Sequence, residues 1–243
     1  MILFTVKDSD GDIVRKLTGP TSKGFHRISW DLKYPQGDFI SPNDKRSLDK
    51  ASGLMSAPGT YTVSISKEVD GVISELSGAV EFEVVPLRKG ALEGSSPAET
   101  AAFWRELEAT SKDASVLRAQ FGNQMKKMGL LKTSLERSLI SPGDMNTKLH
   151  ELNGEYQALR KQLFGYSSKS QVGQKNDPTI NNRLGMVFNA VSNSTYGPTP
   201  SAKASLEMAQ KELRSMKSSL KALSDKMTSL QADMEKAGAP AIE

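Results

Sequence analysis

The sequence predicts an α+β multidomain protein, strand-rich at the start and helical for the remainder. Three observations carry this. Short apolar runs alternating with polar residues, separated by Gly, Pro and Asp, fill residues 1–87. A Gly/Ser stretch follows at 88–96. Beyond it, apolar residues recur at steps of three and four, most regularly between Thr199 and Lys236. The expected organisation is a β-sandwich over 1–87, a linker over 88–96 and an antiparallel helical bundle over 97–238.

Taken in order, Ile2–Val6 is the first strand, and Asp8-Ser9-Asp10-Gly11 turns the chain into Ile13–Leu17. Phe25–Trp30 alternates, with Phe25, Arg27 and Ser29 on one face and His26, Ile28 and Trp30 on the other. Residues 34–59 hold three Pro and three Gly, so they read as a long surface loop. Thr60–Ile65 alternates again, Val69-Asp70-Gly71-Val72 is an Asp-Gly hairpin turn, and Ala79–Val85 is the last strand.

In the helical part, Ser96-Pro97-Ala98-Glu99 starts the first helix with an N-cap serine, a proline at the first position and an acid in the first turn. Its stripe runs Phe103, Leu107, Thr110, Ala114, Leu117, Phe121, Met125, Met128, Leu131, Leu135 and Leu139. Ser141-Pro142-Gly143 separates it from a second stripe of Met145, Leu149, Leu152, Tyr156, Leu159 and Leu163. A polar loop is expected over 165–177, and Asp177-Pro178 opens a shorter helix with Ile180, Leu184, Val187 and Val191. The last helix carries Ala202, Leu206, Ala209, Leu213, Met216, Leu220, Leu223, Met227, Leu230 and Met234 in unbroken heptad order. Such a stripe needs partners, and the other helices supply them in an antiparallel bundle with coiled-coil-like packing. The same seams pairing between two chains would make a homodimer.

Composition narrows the function classes. The chain has 243 residues, 37% hydrophobic and 25% charged, with a mean hydropathy of −0.43. No run of about 18 apolar residues occurs, so no span of a membrane is expected. No cysteine occurs and only His26 and His150 could offer imidazole, which argues against thiolate catalysis and Cys/His metal sites. The net charge of +4 divides as −1 over residues 1–96 (12 Lys/Arg, 13 Asp/Glu) and +5 over 97–243 (20 Lys/Arg, 15 Asp/Glu). That excess is spread along helix faces without interleaved aromatics, so no nucleic-acid partner is expected. Met1–Lys7 lacks a basic leader, a long apolar core and a cleavage site, so no signal peptide is read there; it opens in mid-strand, as a fragment would.

Each candidate site weakens on inspection. Asp8, Asp10 and Asp12 could present oxygens to calcium, but an EF-hand loop would need Gly and an acid where Ile13 and Gly19 stand. A hairpin turn explains these residues better. His26 beside Trp30 could line a sugar site, while a packed Trp with a rim His is the simpler reading. Trp104 points about 100° away from the seam of its helix; it either fixes the two domains together or serves as a partner hot spot. The ten Met residues fill cores more readily than they form an adaptable groove. Asn193-Ser194-Thr195 is a formal glycosylation sequon. No phosphate loop, dinucleotide fingerprint or Gly-x-Ser-x-Gly motif is found, and no catalytic, cofactor-binding or metal residues are assigned.

Two stretches carry a resemblance. Gly19–Leu32 (GPTSKGFHRISWDL) and Ala57–Val63 (APGTYTV) resemble the C-terminal region of bacterial sortilin/Vps10-like, BNR-repeat β-propeller proteins, which are often labelled glycosyl hydrolases. More loosely, Asp10–Leu17, Gly24–Asp31 and Pro58–Tyr61 are similar to the immunoglobulin-like domain of flagellar hook-capping proteins. Asn176-Asp177-Pro178 before a short helix also fits the propeller family. The resemblance implies an immunoglobulin-like sandwich with a helical tail, exported to the periplasm or beyond, whose propeller lies upstream of Met1. It implies a non-catalytic accessory module whose partner is that propeller or another protein. One rival is a module binding glycan or protein through the sandwich loops, for which Tyr34 and Phe39 are the aromatics available. The other is part of a glycoside-hydrolase-like enzyme whose catalytic propeller is missing.

Overall fold

The computed structural model describes residues 1–35, 52–87, 93–139, 141, 143–192, 194 and 196–242. The chain is mixed α+β, with an antiparallel sheet followed by helices. It forms two compact units, Met1–Lys112 with Val187–Lys203, and Asp113–Met186 with Ala204–Glu243. The first helix therefore contributes its opening turns to one unit and the rest to the other.

In the first unit, β1 (Ile2–Lys7), β2 (Ile13–Gly19), β5 (Gly59–Val69) and β6 (Val72–Val84) form one sheet in the order β2-β1-β5-β6. The register pairs Val6 with Arg15 and Val63, Val63 with Val80, and Tyr61 with Phe82, which puts these residues on one face. Val6, Val14 and Tyr61 are buried there, with Trp30, Tyr34, Val63, Phe82 and Val84 packed against them. Thr60, Thr62, Ser64, Ser66 and Thr5 fall on the opposite face, which is mostly polar but also carries the buried Leu3 opposite Thr18 and Ser66. Gly19 stands opposite Ile2, and a β-carbon on it would lie 2.7 Å from Phe4 Cε2. The turn between β5 and β6 places Asp70 and Gly71 at φ 51° and 79°, the pair of left-handed residues that a type I′ hairpin requires.

Three expectations for the first unit are corrected. Phe25–Trp30 forms no strand, and Phe25 is fully exposed. Ile28 and Trp30 of that run are half-buried, and Trp30 packs against the core, but with no neighbouring ladder to join the alternation did not produce a strand. The expected 34–59 loop is entered and left by strands, β3 (Lys33–Pro35) and β4 (Ser52–Met55), which pair antiparallel with Leu54 buried. The last strand begins at Val72, seven residues before the expected start, because the Asp-Gly turn extends the ladder directly. Two register irregularities in β6 absorb the extra length.

The helices follow the sequence stripes closely. They are α1 (Pro97–Glu136), α2 (Gly143–Phe164), α3 (Ser167–Gln171), α4 (Ile180–Ser192) and α5 (Pro200–Lys236). The short α3 lies inside the stretch expected to be loop. The Ser96 hydroxyl accepts from Glu99 N–H at 3.2 Å while the Glu99 carboxylate accepts from Ser96 N–H at 2.8 Å, a reciprocal capping box. These bonds from Ser96 hold the Glu99 carboxyl below its ordinary range. Thr179 and Asn182 repeat the device ahead of α4. At the far end of α5, Gly238 at φ 96° is closed by Ala239 N–H to Met234 carbonyl and Gly238 N–H to Glu235 carbonyl, a Schellman cap.

All ten predicted α5 seam residues are buried, none more than 8% exposed. Ile180, Leu184, Val187 and Val191 of α4 are buried as well, as are Leu149, Leu152, Tyr156, Leu159 and Leu163 of α2. Leu139 is a correction: α1 ends at Glu136, so the residue lies past the helix and is fully exposed. In the second unit, contacts of Asp113 with Lys217 and of Ser134 with Pro240 run α1 and α5 in the same direction. Tyr156 donates to Gln124, and Phe121 meets Tyr156 and Phe164 at centroid distances of 6.1 and 5.9 Å, so α2 runs opposite to α1. Among the described residues no helix is long and apolar enough to cross a membrane.

Candidate functional site

The acidic turn is occupied with its own backbone. Asp8 Oδ1 accepts from the N–H groups of Asp10 (3.2 Å) and Asp12 (2.9 Å), and Gly11 follows at φ 85°. These bonds make a hairpin turn closing β1 on β2. Among the described residues no group of three or more His, Asp or Glu is placed to hold a metal ion.

His26 and Trp30 do not form a shared site. The exposed His26 ring bonds the Ser22 carbonyl through Nε2 at 2.7 Å. Trp30 donates its indole N–H to the Lys33 carbonyl at 3.0 Å and packs edge-on against Tyr61, 5.3 Å between centroids. Its ring is therefore committed to the core. Trp104 is also buried, which removes it as a surface hot spot. Its indole N–H has no partner among the described residues, nor has the Thr100 hydroxyl one turn earlier on α1. Asn193 and Thr195 of the sequon, and Phe39, lie outside the described residues.

One corner of the first unit, which no sequence motif marks, is heavily bonded. Leu32, at φ 58°, turns its carbonyl to accept from both Ser56 N–H (2.7 Å) and Ser56 Oγ (2.9 Å), which starts the β3–β4 pair. Arg15, 1% exposed, donates Nη1 to the Tyr34 carbonyl at 3.0 Å. A charge so buried is tolerated because it is hydrogen-bonded. The Tyr34 ring lies under the Arg105 guanidinium, 4.1 Å from centroid to Cζ. Burial raises the Tyr34 phenol above its ordinary value, against the opposing pull of Arg105. One turn on, Glu108 accepts from Leu54 N–H at 2.8 Å. Arg105 and Glu108 sit three apart on α1, the spacing that puts both on one helix face. Tyr34 is thus a structural joint, and its ring is not free to stack on a sugar.

The surface that stands out is the β5–β6 hairpin. Val72 (66% exposed), Ile73 (64%), Leu76 (51%) and Val80 (58%) all lie on β6, and Val69 on β5 is exposed with them. No other described element collects so many exposed branched side chains. β6 is an edge strand, paired among the described residues with β5 alone. Its charges are Glu75, Glu81 and Glu83, all exposed, with no Lys or Arg from Val72 to Val84. The register places Glu75, Glu81 and Glu83 opposite Ser66, Thr62 and Thr60, on the polar face. A signal for this surface existed in the sequence, because branched residues continue on both sides of the Asp-Gly turn, beyond the ladder that the other strands could cover.

Comparison of the chain with protein-family profiles, curated proteins and solved structures finds no match.

Proposed function

We propose that this chain is a non-catalytic accessory and interaction module of a larger exported β-propeller protein, acting in the periplasm or outside the cell. The four-stranded sheet and the β3–β4 pair are then the two layers of an immunoglobulin-like sandwich, and the seams of α1, α2 and α5 pack as heptads. The exposed apolar β5–β6 hairpin is the observation that carries the interaction role. Large apolar side chains held exposed along one edge hairpin are surface that contact with another folded surface would bury. The motifs at Gly19–Leu32 and Ala57–Val63 carry the propeller part of the reading. The glycan-binding rival is weakened by Tyr34, whose ring is taken up by Arg105.

Reading the encoding DNA upstream of the Met1 codon tests the proposal. An open frame continuing into propeller blades behind a signal peptide is the expected result. A stop codon and a ribosome-binding site directly before Met1 would overturn it.

A further inference from the structure

We propose that the outer edge of β6 is a strand-docking site, taking an extended polypeptide segment in which Lys or Arg alternates with branched apolar residues. This rests on the interaction-module reading and specifies the partner's chemistry. From Ala79 to Val84 the strand pairs with β5 on its inner side through Val84–Gly59, Glu83–Thr60, Phe82–Tyr61, Glu81–Thr62 and Val80–Val63. The outer N–H and C=O groups of such a strand are a template for one more strand. Side chains of an added strand would alternate between the two faces of the sheet. On one face they would meet Val80 beside the half-buried Phe82 and Val84; on the other they would meet Glu81 and Glu83.

The glutamates select the occupant. No cation pairs with Glu75, Glu81 or Glu83 among the described residues. Two copies of the regular Ala79–Val84 segment pairing antiparallel about Phe82 would set Glu81 against Glu83. Like charges directly opposite are unfavourable and opposite charges favourable, so the edge rejects its own copy and accepts a basic strand. The apolar tip at Val69, Val72, Ile73 and Leu76 extends the contact beyond the ladder.

The test uses the full chain and three synthetic nonapeptides: lysine alternating with valine, glutamate alternating with valine, and the lysine peptide with its residues in blocks. Binding is followed by calorimetry, and the site by backbone amide NMR shifts. The alternating lysine peptide is expected to bind, with shifts centred on Val80–Val84, at least about tenfold more tightly than the other two. Glu81→Lys with Glu83→Lys should reverse the preference toward the glutamate peptide; both side chains are exposed, and an unchanged circular dichroism spectrum checks that the variant folds. Equal binding of the block peptide, shifts away from β6, no binding at millimolar peptide, or self-association through β6 would each overturn the proposal. An upstream frame encoding a propeller together with no peptide binding would retain the module reading and remove only the strand-docking site.

Discussion

α5 and β6 are both amphipathic elements rich in branched or long apolar residues, and they end up in opposite conditions. Every apolar seam residue of α5 is buried. On β6, Val72, Ile73, Leu76 and Val80 are more than half exposed. The apolar pattern states which side chains gain by leaving water, at about 25 cal/mol per Å²; it does not state where the covering surface comes from. For α5 the covering surface is in the chain itself. For β6 the described residues leave it to be supplied from elsewhere.

Predictions follow from breaking either side of this contrast. Leu213→Ala, in the α5 seam, should destabilise the protein by about 3 kcal/mol, read from urea unfolding by circular dichroism. Next in size is Gly197→Ala. Gly197 holds φ 92°, and a β-carbon there would lie 2.5 Å from Ser95 Cβ and 3.0 Å from Thr100 Oγ1. A loss of about 2 kcal/mol in thermal unfolding is expected.

Tyr156 sharpens the contrast through pH. Burial pushes its phenol from 10.0 up to about 12. Below pH 10 folded and unfolded chains both keep the proton. Between pH 10 and about 12 the unfolded chain releases it first, so the folded state binds more protons and stability falls as pH rises. Tyr156→Phe should remove that part of the slope in urea titrations, while costing about 1 kcal/mol at neutral pH for the lost bond to Gln124. The smallest effects belong to the surface. Leu76→Ser on β6 and Lys226→Ala, which breaks the 2.7 Å pair with Glu155, should each stay within about 0.5 kcal/mol.

Legibility in the sequence divides along the same line. The helix stripes and the Ser96–Glu99 cap depend on neighbours three and four residues apart, so local spacing reveals them. The exception is Leu139, which keeps the spacing past the end of its helix. Strands depend on a ladder partner far away in sequence. Phe25–Trp30 alternates like a strand but joins no ladder, and Lys33–Pro35 with Ser52–Met55 forms a ladder from stretches too short to announce one. The Tyr34 corner was illegible for a similar reason. Arg15, Tyr34, Leu54, Arg105 and Glu108 come from four different elements, and no spacing rule links them. Trp30 packs against the core as its sequence context suggests, although the strand expected around it does not form.

The most direct test of the contrast is amide hydrogen exchange on the full chain at low concentration. The outward-facing amides of Ala79–Val84 should exchange far faster than those around Leu213–Leu230, which should open only with global unfolding. Protection of the β6 edge equal to that of the α5 seam would contradict the contrast, because the edge would then already be covered in the free chain.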